Sequence, residues 1–570
     1  MSEDHDFQVR IGRIGVKRSG RARTFLAAAL VAAQRAGGLP VRRAPRIGAF
    51  GRGRAASLSA GAGLVSRSRR VIVKARVVRP GAGRAPLGVH LNYLQREGVG
   101  RDETPGAVFD ADRDQADGRA FVERCDGDRH HFRFIVSPED AAELSDLKAY
   151  TRELMTTAER DLGTRLDWVA IDHWNTAQPH VHVLVRGRAE DGADLVISKD
   201  YIAQGLRARA AELATLELGR RSDLEVRRDL DAQVRADRWT RLDRNLQQLA
   251  AESDGQIDLR GDRANPLRAL RLSRLAKLRA LGLADEVRPG RWRMSADAEP
   301  TLRALGERGD VIARMHRAMS GRDVDPDRFE IDPPNVASRM VGRLVARGLD
   351  DELAGTAYAV VESVDGRVQH VPLRDLADAS DAPLGAIVEV GALDGQNGRR
   401  RLALWVRSDL GLADQVRAEG ATWLDRKLVS REATSLGTSW FGREVQGALE
   451  ARTDHLVEAG LAQRRGGRVI FAPGLLQTLR ERELQAAAAK IAARTGLEPL
   501  PASEPAVSGT YRQRLNLASG RFAVIEGAMG FALVPWRPEL DRHLGLHVEG
   551  ERLPGGRIAW SFSRTRGLGR

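Results

Sequence analysis

The sequence predicts an α+β protein of several domains whose first ordered domain is built on an antiparallel sheet. Three observations carry this. Short runs of period-two hydrophobicity (Val71–Val78, Phe132–Val136, Trp168–Asp172, His180–Arg186) alternate with longer segments of helical period. The second pair of runs is separated by a turn-prone segment, Asn175 to Pro179, which makes sequential antiparallel pairing the simplest connection. At 570 residues the chain exceeds one hydrophobic core, since domains run about 100–200 residues.

In chain order, residues 1–70 read as a basic arm, partly disordered. Residues 1–85 hold nineteen Lys and Arg against three acids, a net of +16, so the other 485 residues carry −2 of the chain's +14. A block of this kind suits phosphate neutralisation on nucleic acid, while Gly-rich pieces such as Gly51–Arg54 also suit a solvated tail. Inside it, Phe25–Ala33 is a nine-residue apolar run between basic clusters. Membrane spans need about twenty residues and exported leaders lack a second basic cluster, so a short amphipathic helix in a cytoplasmic protein is expected, without stable membrane insertion.

The domain from 71 to 220 opens with strand Val71–Val78. Helix Leu87–Glu97 follows, stopped by Gly98, and then strand Phe132–Val136. Ser137-Pro138-Glu139-Asp140 reads as a helix start, with Ser137 as N-cap and Pro138 in the first turn, for a helix running to about Leu162. Trp168–Asp172 and His180–Arg186 supply two more strands, and Ile202–Leu218 a helix. A long polar helix, Asp223–Ala251, fills a linker at 221–255.

Beyond it the chain repeats itself. Leu278-Arg-Ala-Leu-Gly-Leu-Ala284, followed by Gly290-Arg-Trp-Arg-Met294, matches Leu456-Val-Glu-Ala-Gly-Leu-Ala462, followed by Gly467-Arg-Val-Ile-Phe471. Each outlines a helix, a Gly cap and a basic hairpin, a winged-helix-like unit at 256–320 and again at 420–495. Such units serve DNA binding and protein interaction alike. Residues 335–410 form a small β-rich unit, with alternation over Thr356–Val406 around turns at Asp365-Gly366 and Asp394-Gly395, and 505–570 a C-terminal β-rich segment. The latter has strand candidates Phe522–Glu526, Phe531–Pro535 and Arg557–Ser563, then a basic tail.

The chemistry concentrates in one place. Six of the twelve histidines lie between His90 and His182. On an extended strand His180 and His182 project to one face while Val181 and Val183 turn to the core. His173, seven residues earlier, folds back across the turn as a third ligand. Three imidazoles with open positions suit a catalytic divalent metal, Mn, Mg or Zn, more than a closed structural site. The single cysteine, Cys125, excludes a disulfide framework and a cysteine-based zinc knuckle. A Gly-x-Ser-x-Gly elbow and a phosphate-binding loop ending in Lys-Ser/Thr are both absent, which leaves tyrosine as the nucleophile of interest. Tyr93 and Tyr201 fall in the histidine-bearing domain. A phenol with a pKa of about 10 needs a base or a cation to attack a phosphodiester.

The His-hydrophobic-His pair behind Pro179, the upstream His173, the Ser137-Pro138 pair and the helix bearing Tyr93 in Tyr-Leu-Gln-Arg-Glu-Gly together resemble the three motifs of conjugative relaxases. The closest likeness is to plasmid-mobilisation nucleases of the VirD2 type, with an antiparallel HUH-type nuclease fold. Tyr93 precedes the histidines, the relaxase order. Phe531–Arg537 and Arg564–Gly569 resemble the uncharacterised region accompanying one relaxase subgroup. The resemblance implies that Tyr93 attacks a scissile phosphate in single-stranded DNA at an origin of transfer and keeps the 5′ end. It also implies that His173, His180 and His182 hold the metal, and that Ser137 contacts DNA near the cut. An accessory DNA-binding protein and a type IV secretion coupling protein are the implied partners. The family often has Asp where this chain has Asn175, so the proton acceptor for Tyr93 lies elsewhere, with Asp172 and His131 as candidates. Two alternatives stay open: a rolling-circle replication initiator using Tyr201, weakened by Gly205 where a Lys is expected, and a non-enzymatic DNA-binding regulator with a structural metal.

Overall fold

The computed structural model describes Arg52 and residues 66–79, 87–95, 105–174, 178–261, 265–322, 326–331, 339–394, 400–430, 436–437, 440–501, 504–553 and 557–562. The expected amphipathic helix in the arm, Arg96 to Gly98, Asn175 and the basic tail lie outside the described residues. The chain divides into two compact units, Met1–Gly309 with Leu353–Gly355, and Asp310–Glu352 with Thr356–Arg570. Both are mixed α and β, as the sequence predicts, and their sheets are antiparallel apart from one two-residue parallel pairing in the second unit.

The first unit opens with β1 (Val71–Val78), α1 (Leu87–Leu94), α2 (Gly118–Arg124), β2 (His131–Pro138), α3 (Leu147–Leu162), β3 (Trp168–His173) and β4 (His180–Arg186). A five-residue π-turn, Tyr201–Gly205, leads into α4 (Leu206–Leu218). The four strands form an antiparallel sheet in the order β1-β2-β4-β3. The register sets Phe134 opposite both Ala75 and Val183, and Val183 opposite Ala170. That face packs on Tyr150, Leu154, Met155 and Ala158 of α3 and Leu206, Ala210 and Ala214 of α4. Each such fully buried large apolar side chain contributes roughly 1.5–3 kcal/mol. Because side chains alternate, the other face of the sheet carries Lys74 and Arg76 from β1, His131, Arg133, Ile135 and Ser137 from β2, and all three histidines of β3 and β4.

The helix expected at Ser137 starts nine residues later. Ser137 and Pro138 instead end β2, paired with Ile72 and Val71. The full length of β1 is available as a partner, so the ladder outcompetes the local helix-start signal. The cap is Asp146, whose side chain accepts from the backbone N–H of Lys148 and Ala149, and Gly163 closes the helix at φ 63°. The expected helix 223–251 is two helices, α5 (Asp223–Arg235) and α6 (Arg241–Ala251). Ala236 is extended, and Thr240 restarts the chain with a capping box to Asp243.

α6 is followed by β5 (Ile257–Asp258), α7 (Arg268–Ala280) and the hairpin β6 (Ala284–Arg288) and β7 (Arg291–Met294), with β7 between β5 and β6. Leu246, Leu275, Leu278, Leu283 and Trp292 form the core here. α8 (Ala298–Ala318) follows.

The second unit holds β8 (Phe329–Glu330), β9 (Met340–Leu349), β10 (Ala357–Ser363), β11 (Val368–Leu373), β12 (Ile387–Asp394) and β13 (Arg400–Ser408). These make a six-stranded sheet ordered β13-β12-β9-β10-β11-β8 around Leu344, Val361, Val371 and Val388. Next come α9 (Leu412–Arg417), α10 (Trp423–Val429), α11 (Trp440–Glu458), the hairpin β14 (Ala462–Arg465) and β15 (Arg468–Phe471), and α12 (Leu475–Thr495). Strands β16 (Ala506–Leu517), β17 (Gly520–Gly527), β18 (Gly530–Pro535), β19 (His547–Arg552) and β20 (Ile558–Ser561) close the chain as a sheet ordered β18-β17-β16-β19-β20.

The internal repeat seen in the sequence is structural. In the first copy the fully buried Arg274 donates through Nε and Nη2 to Asp243, at 2.7 and 2.9 Å, and caps the carbonyls of Val234, Ala236 and Arg238. In the second, Arg452 donates to Asp425 at 2.8 and 2.9 Å and caps Val416, Ala418 and Gly420. Thr422 and Asp425 repeat the capping box of Thr240 and Asp243. Gly282 and Gly460 both end their helices at φ 71°, where only glycine is unstrained.

Candidate metal centre

His173 and His180 face each other across the β3–β4 ladder, and His182 lies two residues further on the same face. All three are buried, with His173 fully so. Their ring nitrogens come within 4.8 Å of one another. His180 Nε2 and His182 Nε2 are 3.2 Å apart. Two nitrogens each about 2.1 Å from one ion are separated by roughly this distance.

The backbone fixes which nitrogen faces inward. His173 Nε2 donates to the carbonyl of Leu94 at 2.9 Å, leaving Nδ1 as its ligand atom. His180 Nδ1 donates to the carbonyl of Gln178 at 3.1 Å, leaving Nε2. Such outer hydrogen bonds set the tautomer and orientation of ligating imidazoles. Neither carbonyl has a residue-type signature, so no motif could announce them. The residues present therefore suit a divalent cation, and this group could hold one.

Leu94 is the last residue of α1, which places the half-buried Tyr93 next to the carbonyl that binds His173. Ser137 sits one step beyond the last β2–β4 pair, Val136↔Val181, on the face that carries His180 and His182. Lys74, exposed, and Arg76 and Arg133 make that face positive.

Other candidates lie apart from the trio. His131 pairs with Arg186 whereas His182 pairs with Ile135, four residues or roughly 13 Å along the sheet. Its Nε2 accepts from Arg133 Nε at 3.2 Å. Burial, then the Arg133 and His130 charges, push its pKa down to about 3, a poor proton acceptor for a phenol. Asp172 points to the opposite face from His173 and accepts from Trp174 Nε1 at 2.6 Å. His131 thus lies well along the sheet from the trio, and Asp172 lies on the sheet's other face. Tyr201 is buried in the core on the helix side of the sheet, donating to Asp161 at 3.1 Å, and burial raises its pKa well above that of an ordinary phenol.

His131 predicts a pH effect. Its folded pKa is depressed, so above the unfolded value of about 6.5 it is neutral in both states and contributes nothing to pH dependence. Below that, the unfolded chain takes a proton the folded one refuses. Stability is therefore expected to fall as pH drops from about 6.5 towards about 3, with a limiting slope of about 1.4 kcal/mol per pH unit. In urea titrations across this range, His131→Gln should flatten the profile by about one proton; an unchanged slope would contradict the assignment.

A family model described as "Protein of unknown function (DUF3363)" matches residues 271–399 and 392–569, just over half of the chain. The chain belongs to that family. The match begins inside α7 and runs through the second unit, so the histidine trio lies outside it. No curated protein and no solved structure matches the chain.

Proposed function

We propose that this chain is a conjugative relaxase, a metal-dependent, strand-specific DNA nuclease and strand transferase that forms a 5′-phosphotyrosine bond. The observation carrying this reading is the arrangement of His173, His180 and His182, with the first oriented by the carbonyl that follows Tyr93. Their one-sided placement, with an open basic strand beside them, suits a phosphodiester substrate.

In the reaction, Tyr93 Oη bonds to phosphorus as the bond from phosphorus to O3′ breaks. The phenolic proton is lost, and the leaving oxygen ends as a 3′-hydroxyl. The energy of the phosphodiester is kept in the tyrosine ester, so rejoining is the reverse. A divalent cation, when bound by the three imidazoles, supplies charge stabilisation to the non-bridging oxygens, and nitrogen ligands favour Mn or Zn over Mg. Lys74 and Arg76 hold the strand, and Ser137 contacts it near the cut. An accessory DNA-binding protein and a secretion coupling protein are partners in this reading, in the cytoplasm. Among the described residues no helix is long and apolar enough to cross a membrane.

The replication-initiator alternative needs Tyr201, whose hydroxyl is in the core and bonded to Asp161. The regulator alternative requires no covalent step. Incubating the protein with labelled single-stranded oligonucleotide from the adjacent transfer origin and Mn²⁺ should give a denaturant-resistant adduct. Chelation should abolish it. His182→Ala should weaken Mn²⁺ activation by more than the roughly 10–100-fold that losing an outer partner costs. An adduct that survives chelation would overturn the metal reading, and none on a verified cognate site would favour the regulator.

A further inference from the structure

The two copies of the three-helix and hairpin unit share a scaffold but not a surface. Superposing the buried pairs sets Arg274 on Arg452 and thereby α7 on α11. α7 carries no acid, and of its five basic residues Arg271 and Arg274 are buried, Arg268 donates to the Leu259 carbonyl, Lys277 pairs with Asp237 and Arg279 is exposed. The equivalent stretch of α11, residues 446–458, carries Arg452 against Glu450, Asp454 and Glu458. The difference falls on the solvent side. Exposed Ala276 and Ala280 stand where the second copy exposes Asp454 and Glu458, and exposed Ser273 stands where it has Ala451.

We propose that the first copy binds duplex DNA as a winged helix, with α7 in the major groove and the β6–β7 hairpin on the backbone, and that the second copy does not. The inference does not rest on the tyrosine chemistry. A helix entering a groove meets phosphates on both walls, so one exposed carboxylate per turn opposes it and an acid-free helix does not. Ser273, at the centre of the exposed face, offers a donor and an acceptor to a base edge. Arg279 on the helix and Arg288 and Arg293 on the hairpin are exposed to meet phosphate. The local carboxylates are largely occupied. Asp258 is held by Arg260 and Arg291, Glu286 accepts from the Gly290 N–H at 2.8 Å, and Asp285 lies across the ladder from Arg293.

The second copy supplies the test, because it shows that the scaffold accepts acids at these positions. In the full chain, Ser273→Cys and, separately, Ala451→Cys are alkylated with an azidophenacyl photocross-linker and irradiated with a 30-base-pair duplex. Cys125 is buried, its thiol pushed up to about 12, so it stays unmodified. The basic arm binds DNA equally in both variants and so does not set the difference. We expect cross-linking at 273 to exceed that at 451 by about fivefold or more and to fall with salt. Ala276→Asp/Ala280→Glu, introduced beside Ser273→Cys, should remove at least about 90% of it while leaving the thermal unfolding curve in place. Equal labelling at the two sites, absence of labelling at 273, or labelling that survives the double acid substitution overturns the proposal.

Discussion

Tyr93→Phe is expected to lower the yield of covalent DNA adduct by at least about 10³-fold, because the substitution deletes the atom that bonds to phosphorus in the proposed reaction. The fold should tolerate it. Tyr93 is half-buried on α1, and the ring that packs there is retained. The Leu94 carbonyl that orients His173 belongs to the backbone and is also retained, so Mn²⁺ affinity should change less than about twofold. Tyr201→Phe should behave in the opposite way. Its hydroxyl donates to Asp161, which still receives two bonds from Arg209 at 2.9 and 3.1 Å. Losing that one hydrogen bond costs about 1 kcal/mol of stability and should leave adduct yield unchanged. Quantifying adduct on a denaturing gel separates the two; loss in Tyr201→Phe alone would move the nucleophile to the core side of the sheet.

Arg452→Ala is the substitution expected to destabilise most. Arg452 and Asp425 are both fully buried, and the guanidinium makes five hydrogen bonds, two to the carboxylate and three to carbonyls that end a helix and its loop. Removing the cation leaves a buried carboxylate and three unsatisfied acceptors, at a cost of roughly 3–5 kcal/mol. Arg452→Lys should recover little, since one ammonium cannot span a carboxylate and three carbonyls in the fixed plane of the guanidinium. Arg274→Ala removes the same network from the first copy, where the partner is Asp243. The two pairs lie in separate units, so urea unfolding should show each substitution weakening a different transition. A loss below about 1 kcal/mol for both would mean that the cavity rehydrates or the loop relaxes, contrary to this packing.

The parts of the fold that a residue pattern specifies were legible. His-Val-His-Val-Leu-Val-Arg has strict alternation and a proline ahead of it, and β4 occupies those residues, His180–Arg186. β1 likewise coincides with Val71–Val78. What failed was any feature decided by competition between local and distant partners. Ser137 and Pro138 satisfy every local rule for a helix start, yet the backbone of β1 reaches them and Asp146 caps the helix instead. The helix expected over 223–251 breaks because Arg274, from a later helix, captures carbonyls at Val234, Ala236 and Arg238. No periodicity in 223–251 announces a guanidinium 40 residues away. β16 was missed because Ser508, Thr510, Arg512, Arg514 and Asn516 make its sequence polar, although Val507 and Tyr511 are buried.

The candidate site shows the same division. Spacing alone grouped His173, His180 and His182, since a hairpin returns residues seven apart to one face. It could not show how far His131 lies from them, which required the register of β2 on β4, nor find the Leu94 and Gln178 carbonyls that orient two of the rings. Asp172 was attractive by adjacency, but alternation sends it to the other face and Trp174 holds it there.

The covalent link is located by digesting the DNA adduct with trypsin and nuclease and finding the nucleotide by mass spectrometry. A nucleotide is expected on the tryptic peptide Ala85–Arg96, attached through phosphate to Tyr93. A modified peptide containing Tyr201, or a peptide without tyrosine, would contradict it.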